Sequence, residues 1–81
     1  MLHDELIRSI AEWNPALDGA VRRDTALLSS GKLDSLGLFQ LLLWMEQKLG
    51  RPIDATAIDM AAEWDTVDAM VAWLERAGRR K

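Results

Sequence analysis

The sequence predicts an all-α fold: a small four-helix bundle of three main helices and one short third helix, with a long loop between helices 1 and 2. Three observations lead there. Apolar residues recur at helical spacing near both ends, at Leu2, Leu6, Ile7, Ile10 and Trp13 and again at Val67, Met70, Val71 and Leu74. Between them, residues 36–49 form a proline-free stretch rich in strong helix formers. Residues 14–34, by contrast, hold Pro15, Gly19, Ser29, Ser30 and Gly31 and sustain no period.

Each element has its own start and stop signals. Helix 1 is expected over residues 2–13, because the residue before a proline is pushed out of the helical region and Asn14-Pro15 therefore disfavours continuation. In the connection, Leu17, Val21, Leu27 and Leu28 offer apolar anchors to the bundle, and a loop this long in so small a domain usually serves function. Asp34 and Ser35 are both good N-cap types for a helix over Leu36 to Leu49, which stops at Gly50 with Pro52 beyond. Pro52-Ile53-Asp54 opens a third segment, where Ile58, Met60 and Trp64 are spaced for a short helix or an irregular turn. Asp65 or Thr66 then caps a last helix closed by Gly78. Residues 1–78 read as one domain, and Arg79-Arg80-Lys81 as a basic tail expected to be disordered.

Composition narrows the functions available. With 81 residues the chain is near the lower size at which one core can hold a fold without disulfides or metals, and 49% apolar residues supply that core. There is no Cys and His3 is the only His, so a single chain has neither a thiol nucleophile nor the ligands of a Cys/His zinc site. No Gly-x-Ser-x-Gly elbow or phosphate-binding glycine loop occurs, so no catalytic residue and no metal site are expected. Apolar runs such as Leu41 to Met45 fall far short of a membrane span, and the N-terminus lacks the basic-then-apolar layout of a signal peptide. Membrane insertion is not expected, and the sequence reads as that of a cytoplasmic monomer.

Residues 1–78 carry 7 basic against 13 acidic side chains, a net charge of −6. From Ile53 to Glu75 there are six acidic residues, Asp54, Asp59, Glu63, Asp65, Asp68 and Glu75, and no Lys or Arg. Such a surface repels phosphate backbones, so nucleic acid is not an expected partner. It suits basic protein partners, or is simply an ordinary solvated face.

Helix 2 has more apolar surface than one core contact needs. At about 100° per residue, Leu38, Leu41, Leu42, Met45 and Leu49 share one sector, which suffices for a core. Leu36, Phe39 and Leu43 form a second stripe that begins beside Ser35. Periodicity alone leaves two readings open: extra core under the long loop, or an exposed docking surface. Trp44 lies off both stripes, at a bundle edge or on a partner surface. Taken alone, Ser35 is a helix cap.

Gly31-Lys32-Leu33-Asp34-Ser35-Leu36 resembles the Asp-Ser-Leu attachment motif of acyl and peptidyl carrier proteins. The surrounding order is similar too: a first helix, a long loop, the motif at the start of a long helix, then Leu49-Gly50 and Pro52-Ile53-Asp54. Glu63-Trp64-Asp65-Thr66-Val67 resembles the aromatic-x-Thr-Val start of the family's last helix, so the likeness spans residues 2–77.

That resemblance implies a freestanding carrier. Ser35 would take a 4'-phosphopantetheine arm from coenzyme A through a phosphopantetheinyl transferase, Asp34 would help present it, with the transferase's magnesium as one route, and Leu36, Phe39 and Leu43 would face partner enzymes. Those partners would be an acyl- or aminoacyl-loading ligase and a downstream transferase or synthase. Fatty-acid-synthesis carriers typically line this helix with acidic residues, whereas Gln40, Glu46, Gln47 and Lys48 include one acid. Glu63-Trp64-x-Thr66 and Leu41-Leu42-Leu43 look more like D-alanyl and other aminoacyl carriers, so the resemblance leans to aminoacyl or specialised acyl cargo. A fatty-acid carrier and a non-modified helical adaptor are the alternatives.

Overall fold

The computed structural model describes residues 2–79. The helices are α1 (Leu2–Trp13), α2 (Ser35–Leu49), α3 (Met60–Glu63) and α4 (Val67–Arg79), with single 3-10 turns at Pro15–Leu17 and Ala55–Ala57. This is the expected small helical bundle, in which α1, α2 and α4 pack on one another and the short α3 leans on α4.

The core forms where the helical stripes converge. Leu6 and Ile10 of α1, Leu41 and Met45 of α2, and Val67, Met70, Val71 and Leu74 of α4 are all buried. Trp64, fully buried just before α4, meets Trp73 edge to face, with ring centroids 5.2 Å apart and planes at 83°. Trp44 is buried in the core as well, rather than at an edge or on a free surface. The Lys48 amine lies 5.4 Å from the Trp44 ring and pairs with Glu5 of α1, so one cation ties the two helices over the indole.

The long connection is held at both ends of its span. Leu17, Val21, Leu27 and Leu33 are buried in the core, and Leu28 packs against it. Asp65 clamps the middle: its backbone carbonyl accepts the Leu27 N–H at 2.8 Å, and its Oδ1 accepts the N–H groups of Leu28 (2.8 Å) and Ser29 (2.9 Å). The Ser29 hydroxyl donates to Oδ2 at 2.8 Å. These bonds hold the Asp65 carboxyl below the usual aspartate range, chiefly through the Ser29 backbone N–H and then its hydroxyl. Asp65 is thus a loop clamp, and Thr66 caps α4 by accepting the Ala69 N–H at 3.1 Å.

The helix ends follow local chemistry. Gly50 closes α2 with φ +81°, the left-handed conformation expected of a C-terminal glycine. Glu46 Oε2 accepts the Ile53 N–H at 2.8 Å and so braces the turn that follows. Gly78 does not close α4, contrary to the sequence expectation. It keeps a helical backbone, and the helix runs on to Arg79, while Arg51 Nη2 donates to the Ala77 carbonyl at 2.9 Å. Of the basic tail, Arg79 therefore begins inside α4, and residues 80–81 lie outside the described region.

Candidate functional site

The site is built around the start of α2. Asp34 has an extended backbone, and its Oδ1 accepts the Gly37 N–H at 2.8 Å, so Asp34 is the N-cap. Ser35 is then the first helical residue and is exposed, with its hydroxyl not needed for capping. Ser29 and Ser30, the other hydroxyls nearby, are engaged: Ser29 with Asp65, and Ser30 by donating to the Ala26 carbonyl at 2.6 Å.

Leu33 and Gly37 hold the serine in place, and sequence reasoning missed both. Leu33 is 5% exposed, and a Cβ on Gly37 would lie 2.9 Å from Leu33 Cδ1 and 3.3 Å from Asp34 Oδ1. The missing side chain lets the loop's last anchor lie directly on the first turn of α2. The four-residue spacing of Leu33 and Gly37 around Asp34 is the sequence signal that marks this contact.

The second apolar stripe is exposed. Leu36, Phe39 and Leu43 are 66%, 57% and 44% accessible, and they are the exposed large apolar side chains among the described residues. The loop does not cover them, because its anchors and the Asp65 clamp draw it to the core and to the start of α4. The extra-core reading is therefore set aside.

A phosphodiester fits the Ser35 position. It would place an anion at the N-terminus of a 15-residue helix, where the first-turn N–H groups and the helix dipole favour negative charge. Among the described residues no cluster of His, Cys, Asp or Glu could hold a metal ion, and no helix is long and apolar enough to cross a membrane.

Residues 4–74 match the protein family described as "Phosphopantetheine attachment site". The chain belongs to that family of carrier proteins. Its members are non-catalytic and hold 4'-phosphopantetheine covalently. The chain is also 30% identical over 79 residues to the D-alanyl carrier protein of Lacticaseibacillus casei (strain BL23), an alignment covering 91% of this chain and 96% of that relative. It therefore stands near the D-alanyl type. No solved structure matches it.

Proposed function

We propose that this carrier bears its 4'-phosphopantetheine arm on Ser35 and delivers aminoacyl cargo, D-alanyl or a close analogue, to partner enzymes. The observation that carries the reading is the division of roles at the start of α2: Asp34 caps the helix, and Ser35 stands exposed beside it. Once attached, the arm supplies a terminal thiol that holds cargo as a thioester. The chain's own residues do the rest. Leu33 and Gly37 fix the attachment point, Asp34 sets the helix start and presents the hydroxyl to a phosphopantetheinyl transferase, and Leu36, Phe39 and Leu43 give that enzyme and the loading ligase an apolar surface.

Such a stripe suits brief docking, since a small interface binds weakly enough to release while the tether keeps the cargo at high local concentration. The domain that does this runs through α4 to Arg79 and acts as a monomer in the cytoplasm, where coenzyme A is available. The cargo assignment is supported by the D-alanyl relative and by the second helix, whose one acid, Glu46, is already bonded to the Ile53 N–H. Incubating the phosphopantetheinylated chain with ATP, a D-alanine-activating ligase and D-alanine should add one alanyl mass, reversible by hydroxylamine. Loading by a fatty acyltransferase in preference to that ligase would favour the fatty-acid carrier.

A further inference from the structure

His3 of α1, Arg23 of the connection and Asp68 in the first turn of α4 meet on one side of the bundle, although Arg23 is 20 residues from His3 and 45 from Asp68 in sequence. Asp68 Oδ1 accepts the Arg23 Nε–H at 2.8 Å and lies 3.2 Å from His3 Nε2. Arg23 Nη2 lies 3.3 Å from the same ring nitrogen. Beneath the side chains, the Asp68 N–H donates to the Arg23 carbonyl at 3.0 Å. The ring is the inner member of the three, with 19% of the His3 side chain exposed against 61% for Arg23 and 48% for Asp68.

The two contacts of Nε2 exclude each other, because that nitrogen carries either a lone pair or a proton. With a lone pair it accepts from Arg23 Nη2, and the fork of the guanidinium holds His3 and Asp68 side by side. With a proton it donates to Asp68 Oδ1 instead, and a charged imidazolium then faces the guanidinium as a like charge. Elsewhere around α1, Lys48 of α2 is paired with Glu5 and the turn Pro15–Leu17 has no ionisable side chain. Leu6 and Ile7, one helical turn beyond His3, are apolar.

We propose that this cluster is a pH-sensitive latch between α1 and the connection. With His3 neutral, Arg23 grips α1 and α4 together. Protonation moves the His3 bond from Arg23 to Asp68 and drives Nη2 away from α1, while Arg23 keeps its Nε–H and its carbonyl on Asp68. The segment loosened is the turn 22–25, closed by the Arg22 N–H on Thr25 Oγ1 and the Thr25 N–H on the Arg22 carbonyl. It extends no further, because Asp65 independently clamps Leu27, Leu28 and Ser29. Exposed charge pairs are individually weak, so the latch loosens a turn and does not unfold the domain.

His3 is the only histidine, so its ring signals are unambiguous. The latch involves no group on Ser35, and its test uses the unmodified full chain. Nitrogen-15-labelled protein is titrated by NMR from about pH 8 to about pH 5, the span in which imidazoles change charge. Expected at the alkaline end is a ring with its proton on Nδ1 and none on Nε2. On acidification the Arg23 side-chain nitrogen signals should shift, and backbone relaxation at residues 22–25 should show more fast motion, both with the midpoint of the His3 ring. Residues 27–29 should not follow. In His3→Gln the step at residues 22–25 should be lost. A proton on Nε2 at the alkaline end, or an Arg23 side chain and a turn 22–25 that do not follow the ring in the parent chain, overturns the latch.

Discussion

Asp34 Oδ1 accepts the Gly37 N–H at 2.8 Å, so the residue before the serine, not the serine itself, caps the second helix. Asp34→Ala should therefore cost about 1 kcal/mol in chemical denaturation, the usual loss of an N-cap. Asp34→Asn keeps an oxygen for the Gly37 N–H and should stay within about 0.5 kcal/mol. If Asp34 also presents the hydroxyl to a transferase, the Asn variant should be modified several-fold more slowly despite its stability. Normal modification of Asp34→Asn would confine Asp34 to capping.

The two apolar stripes of α2 should separate in experiment. Leu41 and Met45 are fully buried, and replacing either with Ala should cost about 2 to 5 kcal/mol, a large part of the stability of so small a domain. Phe39→Ala and Leu43→Ala should cost about 1 kcal/mol or less, because these side chains already face solvent. Both should still slow modification or cargo loading, as losses of apolar contact to a partner. Denaturation midpoints paired with loading rates decide it, and a Phe39→Ala protein that is as unstable as Leu41→Ala but loads normally would remove the docking role.

Much of this was legible in the sequence, and the misses share a cause. The helices, the core stripe of α4 and the two-sidedness of α2 follow from periodicity, which reports how residues are placed along one element. Trp44 and Leu33 do not, because their burial depends on what the rest of the fold lays over them, which for Leu33 includes its contact with the bare Cα of Gly37. The same holds for Asp65. Its position suggested a cap, yet its carboxylate turns to a loop that lies 36 residues away from it in sequence. The exposure of Leu36, Phe39 and Leu43 likewise needed the loop's path, since periodicity fitted a covered stripe equally well.

The Asp65 clamp predicts an acid-labile loop. Because hydrogen bonds from Ser29 and Leu28 lower the folded-state pKa, the clamp's contribution is complete above the ordinary aspartate range and is lost as pH falls through the depressed folded value. Asp65→Asn should lower the denaturation midpoint at neutral pH, and the gap to the parent chain should narrow below about pH 4. A gap that is constant from pH 7 to pH 3 would show that the carboxylate's charge is not what holds the loop.

The most direct test of the carrier assignment is intact mass after incubation with coenzyme A and a broad-specificity phosphopantetheinyl transferase, run on the parent chain, Ser35→Ala, and the double variant Ser29→Ala with Ser30→Ala. The parent should gain one phosphopantetheine and the double variant should do the same, since Ser29 and Ser30 are committed to holding the loop. Ser35→Ala should stay folded, within about 0.5 kcal/mol of the parent because Asp34 carries the cap, and should gain nothing. A mass gain that persists in Ser35→Ala, or a parent chain that gains none, would contradict the account.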